Sequence, residues 1–246
     1  MREVLAAWGQ PEVTGLLSGG NRNTVLEIQL GPRRLVARRS RRTPASLDWE
    51  ADLLEHLASH GLRVPAVVPS LDGHRHVSGL MVQTWLDGRP PGAADWRAVA
   101  AFLRHLHQLT TGWPQRPGFA STRELLTADC GGDVDLTRMP ADAVADCRLA
   151  WSRLSGAEAV VHGDPGPANI RISDAGPGLL DWDEARVDRT DLDLAQLPGS
   201  DLPPSRLPAA QAAVTAWEAA NGWIIEPPYA QHQLNLLRAG GGLTPR

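Results

Sequence analysis

The chain has no lysine: all 24 of its basic residues are arginine. Base composition accounts for this, since Ala, Gly, Pro and Arg are all abundant. Any chemistry that elsewhere uses a lysine must here use arginine or do without. Cysteine is scarce as well. Cys130 and Cys147 fit no zinc or redox spacing and read as free thiols in a reducing compartment. No apolar run approaches the ~20 residues of a membrane span. The opening "MREVLAAWGQPEV" is too short and too polar for a secretory signal. The sequence therefore predicts a soluble, cytoplasmic protein with no membrane partner. A formal net charge of −4 argues against nucleic-acid binding, which needs a basic footprint. It is compatible with a cationic small molecule. Internal repeats and low-complexity tracts are absent.

What is present begins with 246 residues, 42% of them apolar. That suffices for one large domain or two small ones. The first third reads as short strands. "VTGLL" runs into the Gly/Asn-rich loop Ser18–Asn23. "TVLEIQL" alternates, with Leu26, Ile28 and Leu30 on one face. Gly31–Pro32 turns the chain into "RLVAR". A helix follows, with Thr43 as cap, Pro44 in its first turn and Gly61 as its stop. Leu47, Leu54 and Leu57 form its apolar stripe, and Glu50 lies on that same stripe. A carboxylate on a buried face is costly unless paired, so the sequence predicts a cationic partner for Glu50. "AVVPS" and "VSGLMVQTW" read as two strands around a turn at Asp72–Gly73. "LDGRPPG", residues 86–92, breaks the pattern and marks the boundary between an N-terminal unit, 1–85, and a C-terminal unit, 86–246. Beyond it the chain turns helical. "DWRAVAAFLRHLHQL" carries Trp96, Val99, Phe102, Leu103 and Leu106 on one side. An acid-bearing stretch near 127–143 reads as loop, "AVADCRLAWSRL" as helix, and the tail as helices near 207–221 and 229–238.

The stretch "VVHGDPGPANIRI", Val160–Ile172, enters the core as a strand and stops on a Gly/Pro loop. That loop holds His162, Asp164 and Asn169. Twelve residues after Asn169, Asp181 leaves another apolar strand in "GLLDWDEA". The turn "SDAGPG" between them predicts a hairpin that brings Asn169 and Asp181 to neighbouring strand ends. An amide oxygen beside a carboxylate is a hard-ligand pair suited to Mg²⁺ held together with phosphates. Asp164, one loop away, can orient a hydroxyl or take its proton. Phosphoryl transfer needs these parts.

"HGDPGPAN" followed by "LLDWDEA" and "DRTDLDLA" resembles the motifs of the aminoglycoside phosphotransferase family. These are small-molecule kinases with a protein-kinase-like fold. The resemblance covers nearly the whole chain. It implies an α+β, two-lobed fold: a small antiparallel β N-lobe with one helix, a hinge at about 83–88 and a larger, mainly helical C-lobe. It also implies Asp164 as catalytic base and Asn169 and Asp181 as Mg²⁺ ligands. His162 would brace the catalytic loop, and Asp193 would buttress it from the following helix. Ser18, Gly19, Gly20, Asn21 and Asn23 resemble the loop over the phosphates of ATP or GTP. Thr84 C=O and Leu86 N–H would meet the adenine edge. The departure is Arg38, which stands where the family usually has lysine, with Glu50 as its evident partner. Arginine is longer and planar, and holds carboxylate or phosphate in a fork. The implied acceptor is a small-molecule hydroxyl, of an aminoglycoside or another compound. Asp193 follows Asp181 by only twelve positions, too few for the peptide-binding segment of a protein kinase.

Several features have more than one reading. A catalytically weak nucleotide-binding pseudokinase is the alternative that Arg38 motivates, and a metal-dependent hydrolase built on the acids of 181–193 is another. Asp183 could aid the metal, contact acceptor or face solvent. Asp129, Asp133, Asp135, Asp142 and Asp146 read as a solvated loop or as a negative surround for a cationic acceptor. Trp182, Trp217 and Trp223 read as core or as an acceptor pocket. His105 and His107 read as packing residues, and His56 and His60 as a solvated helix face.

Overall fold

The computed structural model describes Met1–Leu17 and Asn23–Gly240. A short helix, α1 (Arg2–Leu5), precedes β1 (Glu12–Leu17), β2 (Thr24–Leu30) and β3 (Arg33–Arg39). Next come α2 (Pro44–Ser59), β4 (Val67–Val68) and β5 (Leu80–Thr84). α3 (Trp96–Leu109), a small hairpin of β6 (Cys130–Gly131) and β7 (Val134–Asp135), and α4 (Ala141–Ser152) follow. β8 (Glu158–Val161), β9 (Ile170–Ser173), β10 (Gly176–Leu179) and β11 (Arg186–Arg189) lead to α5 (Asp191–Ala195), α6 (Leu207–Gly222) and α7 (Pro227–Ala239). The class is α+β. Two compact units form: Met1–Pro90 with Ile170–Leu180, and Pro91–Asn169 with Asp181–Arg246.

In the first unit the sheet runs β1-β2-β3-β5-β4, antiparallel throughout. Alternation buries Ile28, Leu35, Ala37, Leu80 and Val82 in a core shared with Leu5 and Trp8. The Trp8 indole N–H donates to Val68 O at 2.7 Å, so the ring is buried without an orphaned donor. α2 starts where Thr43 Oγ1 accepts from Ser46 N at 3.3 Å, and it stops before Gly61, whose φ of +83° suits glycine. Its apolar stripe is buried as the spacing predicts. "AVVPS" yields only Val67–Val68 as strand, because Pro65 and Pro69 flank it and lack a donor. β5 starts only at Leu80, since Ser78 and Gly79 adopt φ of +50° and +77°.

The β9–β10 hairpin belongs to this first unit, although a linear boundary at residue 85 leaves it in the second. Arg89 N donates to Ile172 O at 3.0 Å, and Ile172 N to Arg89 O at 2.8 Å. Gly178 permits the close approach, as a Cβ there would lie 2.7 Å from Leu86 Cδ2 and 2.9 Å from Arg63 O. The Arg63 guanidinium adds bonds to Gly176 O at 2.5 Å and Asp87 O at 2.8 Å.

The second unit is mainly helical. Leu125, Cys147, Trp151, Leu192, Trp217, Leu234 and Leu237 form its core with the buried alanines of α6. Those alanines, Ala213, Ala216, Ala219 and Ala220, let α4 and α7 approach closely. The stretch near 127–143, read as loop, contains the β6–β7 hairpin, turned at Gly132 with φ +64°. Cys130 and Cys147 are both free, and burial pushes the Cys147 thiol up to about 12.

Candidate active site

β8 carries Val160 and Val161 into the core and pairs with β11. The chain then turns at Gly163, φ +93°, where a Cβ would stand 3.0 Å from Glu184 Cβ and 3.1 Å from Glu184 O. One carboxylate fixes this turn. Asp193 Oδ2 accepts from His162 N at 2.8 Å, and Oδ1 accepts from Gly163 N at 3.0 Å. His107 Nε2 lies 3.0 Å from the same Oδ2. Burial alone would push the Asp193 carboxyl up. The hydrogen bond from His107, the electrostatic attraction of that ring and the Gly163 amide outweigh it and hold Asp193 below the usual carboxylate range. His162 is fully buried, meets the Trp182 ring edge-on at 4.7 Å and accepts from Asp164 N through Nδ1 at 3.3 Å.

Asp164 is exposed at the head of the loop. Asn169 reaches back to it: Nδ2 donates to Asp164 Oδ2 at 2.8 Å and to Asp164 O at 3.0 Å. The amide hydrogens are thereby used, and Oδ1 is the Asn169 atom left to act as ligand. Asp164 Oδ1 lies where a Cβ on residue 166 would crowd it at 3.1 Å, so Gly166 keeps that oxygen uncovered on its side. Asn169 immediately precedes β9, and Asp181 follows β10 by two residues. The pairing of Ile170 with Leu179 places both residues at the hairpin's mouth. Asp181 is exposed and has φ of +56°, a left-handed conformation that Asp tolerates better than most residues. An amide oxygen, an exposed carboxylate and a neighbouring Asp form an all-oxygen donor set that fits Mg²⁺.

The segment after Asp181 is gripped from behind. Arg116, 1% exposed, donates through Nη1 to the carbonyls of Trp182, Asp183 and Ala185 at 2.9, 3.1 and 3.2 Å. Its guanidinium lies 4.7 Å from the Phe119 ring. Gln115 brackets Val187, donating to its carbonyl at 2.9 Å and accepting from its N–H at 3.0 Å. Asp183 is buried, which rules out a solvated role for it. Glu184 accepts from Asn221 Nδ2 at 2.9 Å. Buried Arg186 donates to Asp188 Oδ2 at 3.0 Å and lies 3.3 Å over the Trp217 ring.

In the first unit, Glu50 is fully buried and forms an ion pair with Arg38, itself 4% exposed. Arg38 stands on β3 opposite Met81 of β5. Thr84 ends β5, its Oγ1 accepting from Ala66 N at 2.9 Å, and Leu86 follows outside the ladder. Asn23 precedes β2. Ser18, Gly19, Gly20 and Asn21 lie outside the described residues.

The acids read as a possible negative surround are mostly engaged. Asp129 pairs with Arg148 at 2.8 Å, and Arg238 bridges Asp142 and Asp146 at 2.8 and 2.7 Å. Asp135 caps a turn through Thr137 N at 3.1 Å. Trp182 and Trp217 are core residues, while the Trp223 indole donates to Arg138 O at 3.0 Å. His56 and His60 stay on their exposed helix end, and among the described residues no cluster of three or more His, Cys, Asp or Glu could hold a metal. Sequence reasoning missed Arg116 and Gln115, whose stretch "PQRPGF" signals only a turn. It treated His107 as packing alone, although its ring also bonds Asp193.

A family model described as "Phosphotransferase enzyme family" matches residues 14–223. Among solved structures, an aminoglycoside phosphotransferase APH(4)-Ia variant in ternary complex with AMP-PNP and hygromycin B superposes with a TM-score of 0.68 at 15% identity, covering 99% of each chain. Choline kinase LicA from Streptococcus pneumoniae gives a TM-score of 0.69 at 13% identity, covering 97% of this chain and 96% of its own. These likenesses establish the fold. An uncharacterized protein of Deinococcus radiodurans is 42% identical over 67 residues, 26% of this chain and 19% of that protein's length. With the family model spanning most of its length, the chain belongs to the phosphotransferase enzyme family.

Proposed function

We propose that the protein transfers the γ-phosphoryl group of ATP or GTP to a hydroxyl of a small molecule. The observation that carries this reading is the Asp164–Asn169 link, which presents one free carboxylate oxygen and one amide oxygen together at the hairpin's mouth with Asp181. Asp164 accepts the acceptor's hydroxyl proton as its oxygen bonds to the γ-phosphorus. The bond from that phosphorus to the β-bridging oxygen breaks, and the electron pair leaves on the nucleoside diphosphate. Asn169 and Asp181 would hold Mg²⁺, which when bound neutralises phosphate charge and aligns the transfer. Asp193 keeps the Asp164 loop in place through two backbone amides. Arg38, held by Glu50, supplies a permanent cation for phosphate oxygens.

The neighbours' acceptors, hygromycin B and choline, belong to those proteins. An aminoglycoside or another amino alcohol is the acceptor class to screen first here. The pseudokinase reading rests on Arg38 in place of lysine. A panel of such acceptors with ATP or GTP, read by mass spectrometry for the phosphorylated product, separates the two. Product from wild type and none from Asp164→Ala supports the kinase. Nucleotide binding without transfer to any acceptor supports the pseudokinase.

A further inference from the structure

We infer that Arg116 is a positioning residue for the metal-binding aspartate Asp181, acting through the backbone that follows it. This rests on the phosphoryl-transfer reading above. Three carbonyl groups, of Trp182, Asp183 and Ala185, converge on one buried nitrogen at 2.9–3.2 Å. Consecutive carbonyls do not converge in an extended chain. Here a turn, closed by Ala185 N donating to Trp182 O at 3.2 Å, folds them inward. Each buried carbonyl would be costly without a donor, and Arg116 satisfies all three with one charged group. The residue immediately before this turn is Asp181, whose φ of +56° sets the direction of its side chain. Left-handed backbone at a non-glycine residue is strained, less so for Asp than for most, and is held by its surroundings. The Arg116 grip is such an imposition. Phe119 beneath the guanidinium and Gln115 on Val187 fix the gripping loop to the same segment.

Without the grip, the turn relaxes, Asp181 leaves its left-handed conformation and metal affinity falls. Residues that orient a metal ligand are typically worth about 10–100-fold in metal affinity. The test is Mn²⁺ binding to the protein–AMP-PNP complex by electron paramagnetic resonance, with AMP-PNP binding in EDTA measured alongside. R116Q is expected to weaken Mn²⁺ binding about 10-fold or more and to leave metal-free AMP-PNP binding within about 2-fold, because the carbonyls it holds belong to Trp182, Asp183 and Ala185, none of them proposed to touch the nucleotide. R116K, with three N–H donors for three carbonyls, is expected to recover most of the loss. Leu234→Ala, a core change in α7, controls for lowered stability and is expected to leave Mn²⁺ affinity unchanged. If R116Q does not fold, F119L carries the test, with a smaller loss of about 3-fold expected from weakening the cation–π support alone. Equal Mn²⁺ affinity in wild type and R116Q, or in wild type and F119L, overturns the inference. No metal-dependent AMP-PNP binding by wild type overturns the phosphoryl-transfer reading and the inference with it.

Discussion

Asp193 concentrates several bonds in one carboxylate. Its two oxygens take two backbone amides and an imidazole, and nothing in the sequence except the motif "DLDLA" marks it. Replacing it with alanine would leave His162 N and Gly163 N buried without acceptors, at about 1–3 kcal/mol each. Asp193→Ala should therefore lower the melting temperature strongly, as read by calorimetry. Its pH signature has a definite sign. The folded carboxyl lies below its unfolded value, so its contribution is complete above about pH 4 and is lost as pH falls through the folded value. Wild-type stability should drop on acidification below about pH 4, and Asp193→Asn should flatten that part of the curve. Asp164 behaves differently, being exposed with its backbone already secured. Asp164→Asn should fold normally and lower kcat about 10²–10⁴-fold, the usual worth of a general base.

At the scale of elements, the hairpin β9–β10 matters most. Its strands and turn were legible in "NIRI", "SDAGPG" and "GLL". Its membership of the first unit was not, because that depends on Gly178 allowing Leu86 and Arg63 close. Gly178→Ala should cost about 1–3 kcal/mol by overpacking, measurable by denaturant unfolding. α2 was read almost to the residue, since cap, proline and terminal glycine are all local signals. Strands β4 and β5 came out shorter than their apolar runs suggested, because two prolines and two left-handed residues cut them back. The β6–β7 hairpin was not legible, having two-residue strands with weak alternation. The nearness of Asp164, Asn169 and Asp181 to the hairpin was legible, because the Gly/Pro loop and the turn "SDAGPG" are local signals. Arg116 was not, because its partners are carbonyls, which every residue has.

For the whole molecule, the lack of lysine returns as the buried Arg38–Glu50 pair. Glu50 on an apolar stripe predicted a cationic partner, and the pair is nearly inaccessible to solvent. Removing one member of a buried ion pair costs about 3–5 kcal/mol, while replacing both with apolar residues can be neutral. Glu50→Leu should thus unfold at a clearly lower denaturant concentration, and Arg38→Met with Glu50→Leu should recover stability without recovering nucleotide turnover. The double variant separates what the pair does for the fold from the phosphate contact proposed for Arg38. The central claim is that Asn169 and Asp181 bring a divalent cation to a nucleotide's phosphates. Calorimetry of ATP and GTP binding, with and without Mg²⁺, on wild type and Asp181→Ala tests it most directly. The account predicts Mg²⁺-dependent binding of at least one nucleotide, weakened in Asp181→Ala. Failure of folded wild-type protein to bind either nucleotide, or equal binding by Asp181→Ala, would contradict it.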